Sequence, residues 1–125
     1  ACFAFFGTKK DLGWTYQQNL ARAYAEATLD VETRYYEGFG LIGDDDRSKQ
    51  IEQFVSGGCQ LIFLCSGAFE HIANNVFAEK YPHVKFFILG GRRFTPLPNL
   101  GSSMIKLYQA SYIAGIVAAS EPHVS

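Results

Sequence analysis

The chain has 125 residues, of which 48% are hydrophobic and 18% charged, and its formal net charge is −1. This length corresponds to about one domain and is enough to bury a core. No apolar run approaches the roughly 18 residues of a spanning helix, so we expect a globular domain rather than a membrane-spanning or disordered chain. The near-neutral charge argues against nucleic-acid binding, because nucleic-acid readers carry basic patches.

Strand and helix patterns alternate along the chain. Apolar or β-branched and aromatic runs predict strands, and runs rich in Ala, Gln, Glu and Leu predict helices. The predicted strands are residues 2–6, 31–36, 60–65, 84–89 and 102–107, and the predicted helices are 14–29, 44–55, 68–80 and 108–119. Alternation with short Gly-rich connections indicates βαβ units. We therefore predict one α/β lobe over residues 1–125, with a parallel sheet of about five strands in flavodoxin-like order and helices on both faces.

The loops that follow the predicted strands should meet at one edge of the sheet, where ligands bind in open α/β folds. These loops are residues 7–16, 37–43, 66–70 and 90–98. The first contains the only tryptophan of the chain, Trp14, beside Asp11, Thr15 and Tyr16. A planar aromatic side chain next to an acid and hydroxyl groups suits a small ligand with a flat ring and a polar appendage.

Other patterns in the sequence do not predict a dinucleotide site, a metal site or a catalytic nucleophile. Residues 38–43 match G-x-G-x-x-G, but they follow the second strand and precede three aspartates that would repel a pyrophosphate. The three histidines, His71, His83 and His123, form no ligand-spaced cluster, and Ser66-Gly67 lacks the G-x-S-x-G context of a serine nucleophile. We predict no catalytic residue, no metal site and no cofactor.

The cysteines, Cys2, Cys59 and Cys65, are odd in number and contain no C-x-x-C pair. This predicts neither a disulfide framework nor a zinc site. Cys2 runs directly into the first strand, so a buried core cysteine is expected there rather than a lipidated one. The sequence begins without an initiator Met or a signal peptide, so we expect a processed or excised segment whose compartment cannot be read from its start.

Five blocks along the chain resemble one family. They are 11–16 (DLGWTY), 58–63 (GCQLIF), 80–87 (KYPHVKFF), 98–101 (PNLG) and 112–119 (YIAGIVAA). Their order and spacing resemble the BMP family, the basic-membrane-protein or purine-nucleoside-receptor-like substrate-binding lipoproteins of ABC transporters. Members are clamshells of two α/β lobes with a ligand, often a purine nucleoside, between them. The resemblance implies that this chain is the N-terminal lobe of a non-catalytic binding protein, lipid-anchored outside the cytoplasm, whose partners are a second lobe and an ABC permease.

The resemblance also implies roles for particular residues. Trp14 is the candidate for stacking on the base, Asp11 is a polar contact, and Glu70 is the nearest match to the acid that many members carry after the third strand. Thr15 stands where many members have Asn. The remaining binding candidates, taken from the loops, are Tyr16, Ser66, Gly67, Phe69 and Gly90. As an isolated lobe, the chain should bind weakly and self-associate through an edge that exposes apolar side chains, namely Trp14, Tyr16, Phe69, Phe94 and Leu97. The apolar last helix should also lack cover, at Tyr112, Ile113, Ile116 and Val117.

Two other functions remain open at this point. One is a small flavodoxin-like enzyme or flavin carrier that uses residues 7–15 for a phosphate, helped by Lys9 and Lys10; a yellow preparation would reveal it. The other is a regulatory domain that kept the fold and lost transport, which only the full reading frame would distinguish from a transport protein.

Overall fold

A five-stranded parallel sheet forms the centre of the chain. The computed structural model describes residues 1–92 and 96–120, without the side chains of Asn74 and Asn75. The strands are β1 (Cys2–Phe5), β2 (Arg34–Tyr36), β3 (Leu61–Cys65), β4 (Lys85–Leu89) and β5 (Leu100–Ser103), and they lie in the order β2-β1-β3-β4-β5. Every neighbouring pair is parallel. This is the flavodoxin-like order, so the predicted fold class is confirmed.

Helices follow β1, β2, β3 and β5 along the chain. They are α1 (Trp14–Thr28), α2 (Asp44–Ser56), a continuous helical stretch made of α3 (Glu70–Ile72), a π-helical turn (Ala73–Phe77) and α4 (Ala78–Lys80), and finally α5 (Leu107–Ser120). Short 3-10 turns occupy Phe39–Leu41 and Gly67–Phe69. Among the described residues, no helix combines the length and the apolar character needed to cross a bilayer.

Three strands match their predicted bounds to within one residue, and two, β2 and β5, differ by more. The predicted strand 102–107 lies earlier, at Leu100–Ser103, because Leu100 is the side chain that enters the core, opposite Phe86 in the register. The side-chain amide of Asn99 secures this start by donating to the carbonyls of Ala78, Tyr81 and Val84. The second strand is shorter than predicted, since it is an edge strand with exposed residues throughout.

The two faces of the sheet are covered unequally. On the face with the larger buried cluster, called the larger face, α2 and the helical stretch that ends in α4 bury a core that includes Ile51, Ile62, Phe77 and Phe86. On the smaller face, a cluster around Phe3, Phe5 and Cys65 lies near α1. Every described residue of α5 is exposed. Side chains of the smaller face therefore remain half-buried, namely Phe63, Phe87 and Leu89.

Two of the three cysteines form a disulfide, Cys2–Cys59. The expectation of no disulfide was wrong, because a separation of 57 residues in sequence says nothing about two positions that neighbouring parallel strands bring to a Cα–Cα distance of 5.9 Å. Cys2 is fully buried, as expected. Cys65 is free and buried.

Candidate functional site

The loop after β1 is organised by the carboxylate of Asp11. Its Oδ1 accepts hydrogen bonds from the backbone N–H groups of Gly13 and Tyr16, both at 2.9 Å, and its Oδ2 accepts one from Thr15 at 3.0 Å. These bonds hold the pKa of Asp11 at about 2, below its usual 3.8, and the bond from Gly13 has the largest effect. They satisfy amides that the start of α1 would otherwise leave unpaired. Asp11 thus fixes how Trp14 and the helix leave the loop.

Trp14 spans the carboxyl ends of two central strands. Its indole Nε1 donates to the carbonyl oxygen of Cys65, at the end of β3, at 2.8 Å. Its ring lies against Gly90, just after β4, where an added Cβ would be 3.4 Å from Trp14 Cζ2. The side chain is half-buried. The hydrogen bond of Nε1 and the packing of the adjacent ring atoms Cζ2 and Cη2 against Gly90 therefore hold one edge of the indole at this edge of the sheet.

The loops after β3 and β4 touch at two glycines. A Cβ on Gly67 would stand 2.6 Å from the carbonyl oxygen of Gly90, and Gly90 has a φ of +82°, which side chains disfavour. Beyond them, the carboxylate of Glu70 accepts a hydrogen bond from the backbone N–H of Arg92. This part of the loop that we placed at residues 90–98 is therefore joined to the loop at 66–70. Residues 93–95 lie outside the described residues.

The predicted site residues separate into two groups. Asp11 is exposed, and Trp14, Tyr16, Ser66, Gly67, Glu70 and Gly90 are half-buried, so all of them lie where a ligand could reach them. Thr15 and Phe69 instead turn inward. Thr15 is 2% exposed, and Phe69 is fully buried and meets the rings of Phe6 and Phe39 edge-on. We expected Phe69 to be exposed at this edge; the 3-10 turn Gly67–Phe69 directs its ring into the core.

Sequence reasoning missed the backbone partners of the site. The Cys65 carbonyl that holds Trp14 has no sequence signature, because every residue carries a carbonyl group. The loop after β1 is also tied to the loop after β2, since the Lys9 N–H donates to Glu37 Oε2 at 2.7 Å. The Gly38 and Gly40 N–H groups donate to the carbonyls of Gly7 and Phe6. These amides are thus engaged within the protein, which agrees with our interpretation of residues 38–43 as a loop rather than a dinucleotide cradle.

The arrangement is suited to binding. It presents an anchored aromatic ring and two carboxylates, those of Asp11 and Glu70, on the loops after β1 and β3. Burial raises the pKa of the Cys65 thiol to about 12, so this cysteine is not a thiolate nucleophile near neutral pH. Within residues 1–92 and 96–120, no group of three or more His, Cys, Asp or Glu side chains could hold a metal ion.

Comparison with known proteins also indicates a binding protein. Residues 1–121 match the family described as ABC transporter substrate-binding protein, PnrA-like. A purine-binding protein of Brucella abortus (strain 2308) is 34% identical over 119 residues, which cover 94% of this chain but 33% of the relative. The chain thus spans about a third of that relative's length. A crystal structure of a lipoprotein fragment from Peptoclostridium difficile 630 shares the fold, with a TM-score of 0.64, 23% identity, and coverage of 94% of this chain and 93% of that one. The chain belongs to the PnrA-like family of ABC transporter substrate-binding proteins.

Proposed function

We propose that this chain is the ligand-binding lobe of a non-catalytic ABC transporter substrate-binding protein, and that its ligand is a purine nucleoside. The observation that carries the proposal is the anchored indole of Trp14 at the carboxyl ends of β3 and β4. A flat base gains most from an aromatic partner whose orientation is already fixed, because little freedom is then lost on binding. The purine-binding relative from Brucella supports this ligand class.

In the proposed complex, the base stacks on Trp14 and the sugar lies towards the acids. Asp11 is exposed although its oxygens cap α1, and these oxygens can also accept hydrogen bonds from ribose hydroxyl groups. Glu70, on the loop after β3, provides the second carboxylate. Thr15 and Phe69 support the site from inside the protein and do not touch the ligand.

The wider assembly is also part of the proposal. Residues 1–125 form the N-terminal lobe of a two-lobe receptor, the second lobe closes over the ligand, and the whole protein, lipid-anchored outside the cytoplasm and so membrane-associated, delivers the ligand to an ABC permease. The family match and the partial coverage of the relative support this view. One lobe supplies only part of the contacts, so the chain alone should bind weakly; each loss of about 1.4 kcal/mol lowers affinity tenfold.

Calorimetric titration with guanosine, inosine and adenosine tests the ligand. We expect measurable binding of at least one nucleoside by the wild-type chain at millimolar concentrations, and severalfold weaker binding by Trp14→Ala, because a stacked ring contributes about 0.5–1.5 kcal/mol beyond its buried area. Tyr24→Ala is the matched control, since Tyr24 is an exposed aromatic residue of α1 outside the proposed site. Equal affinity of Trp14→Ala and the wild type would contradict stacking on Trp14. No response to any nucleoside, even with the second lobe supplied, would refute the ligand assignment.

A further inference from the structure

The end of α2 holds Cys59 in a fixed position. The N–H groups of Gly57, Gly58 and Cys59 donate to the carbonyls of Gln53, Val55 and Phe54, at 2.9, 3.0 and 3.0 Å. Gly58 has a φ of +85°, the left-handed conformation in which helices commonly end. Backbone hydrogen bonds therefore position Cys59 in addition to its disulfide.

Its partner, Cys2, is placed equally well. Cys2 is the first residue of β1, lies beside Ile62 of β3 in the register, and is fully buried on the larger face of the sheet. The bond to Cys59 joins β1, the end of α2 and the approach to β3. Arg34 of β2 reinforces the same region, since its guanidinium donates to the Gly57 carbonyl at 2.9 Å. We call this region, residues 1–2, 34 and 57–59, the amino edge.

The third cysteine does not compete for this pairing. Cys65 lies at the carboxyl end of β3 and packs in the cluster of the smaller face, on the other side of the sheet from Cys2 and Cys59. It is fully buried, so it can neither attack the disulfide nor accept a new bond without unfolding. The odd number of cysteines thus leaves one unambiguous pair.

We propose that Cys2–Cys59 is a structural disulfide that forms once, when the chain folds in an oxidising compartment. In the folded protein the bond then stays oxidised. As the bond forms, the two thiols form one S–S bond and give two hydrogens to an external disulfide such as oxidised glutathione, which is reduced to two thiols. The bond is shielded because Cys2 is 0% and Cys59 8% exposed. A buried disulfide of this kind acts as a structural bond rather than a reversible switch.

The Cys2–Cys59 disulfide is expected to stabilise the fold and to leave the ligand-binding loops unchanged. A cross-link across 57 residues restricts the unfolded chain strongly. It lies at the amino edge, whereas Trp14 and its partners lie at the carboxyl ends of the strands. The reduced chain should therefore unfold at a lower temperature while its Trp14 emission below that temperature stays the same.

Thiol counting and melting of the wild-type chain test the proposal. After refolding with oxidised glutathione, maleimide labelling in denaturant should find one thiol, and it should still find one after incubation of the folded chain with a reductant. Labelling after reduction in denaturant should find three. The midpoint of thermal unfolding should fall by roughly 10 °C once the bond is reduced. Three thiols after oxidative refolding, or an unchanged unfolding midpoint after reduction, would refute the proposal of a stabilising Cys2–Cys59 disulfide.

Variants separate this bond from a general effect of reductant. Cys65→Ala keeps the pair and should retain the shift on reduction. The double variant Cys2→Ala, Cys59→Ala should melt near the reduced wild type and show no shift. If the double variant fails to fold, the thiol count and the melting of the wild type still decide the question. Rapid reduction of the disulfide in the folded wild type would show that it is a reversible switch, and would refute a disulfide that stays oxidised in the folded protein.

Discussion

The carboxylate of Asp11 links the fold to the site at the scale of one residue. It accepts three backbone hydrogen bonds at the start of α1, and it stands directly before the turn that presents Trp14. Its pKa is lowered to about 2 by those bonds. A substitution at this position should therefore loosen the start of the helix as well as any ligand contact.

The pH dependence of stability should reveal this role. The pKa of Asp11 is lower in the folded chain than its unfolded value of about 4, so its contribution is complete above about pH 4 and is lost as the pH falls towards 2. We expect Asp11→Asn to unfold more readily than the wild type at pH 7 and to lose less stability between pH 5 and 2. Urea unfolding at each pH measures this. Glu79→Gln, which removes an exposed carboxylate of α4, is the control and should follow the wild type. Parallel curves for Asp11→Asn and the wild type would exclude the helix-capping role.

Residue types were predictable where chemistry shows in the side chain. Trp14, Asp11 and Glu70 stand out in the sequence, and the structure places them on neighbouring loops. The contacts that hold them were not predictable, because they run to the Cys65 carbonyl and to the N–H groups of Gly13 and Arg92. Backbone groups are present at every residue, and only the fold selects which of them a side chain meets.

At the scale of elements, the site depends on how closely the loops after β3 and β4 approach. The Gly67 position leaves no room for a Cβ, which would stand 2.6 Å from the Gly90 carbonyl oxygen. The obstacle is backbone, so it cannot turn aside as a flexible side chain would. The sequence predicted that both glycines lie in loops after neighbouring strands, but the contact between them became visible only with β3 and β4 paired.

Gly67→Ala should force these loops apart. We expect it to lower the free energy of unfolding by about 1–3 kcal/mol, the usual cost of overpacking, and to alter the Trp14 emission, because the indole lies against Gly90. Gly43→Ala is the matched control, since a Cβ there meets nothing within 4 Å. Urea unfolding followed by Trp14 fluorescence measures both. Equal stability of the two variants would show that the loops can separate freely and that the site is not fixed by their contact.

At the scale of the whole molecule, the sheet order and its four confirmed pairings were predictable because alternating patterns and right-handed crossovers allow few arrangements. The surface was less predictable. The edge that we expected to expose a row of apolar side chains exposes fewer of them, since Phe69 is buried and Leu97 is half-buried, while Phe94 lies outside the described residues. That edge exposes Leu12 and Leu41 in their place, and the longest run of exposed apolar side chains lies on α5, the helix that we expected to lack cover.

Self-association should therefore depend on α5. Its apolar side chains are 53–71% exposed (Leu107, Tyr108, Tyr112, Ile113, Ile116 and Val117), and residues 107–120 carry no charge. Surfaces of this kind commonly mark contacts with another protein. We expect sedimentation across a concentration series to show reversible association of the wild-type chain. Ile113→Glu should weaken it at least about tenfold, because burying one such side chain contributes about 1.5–3 kcal/mol. Thr28→Glu, which adds the same charge to α1, should leave it unchanged. A monomer at all concentrations would refute self-association, and equal association of Ile113→Glu would place the contact elsewhere.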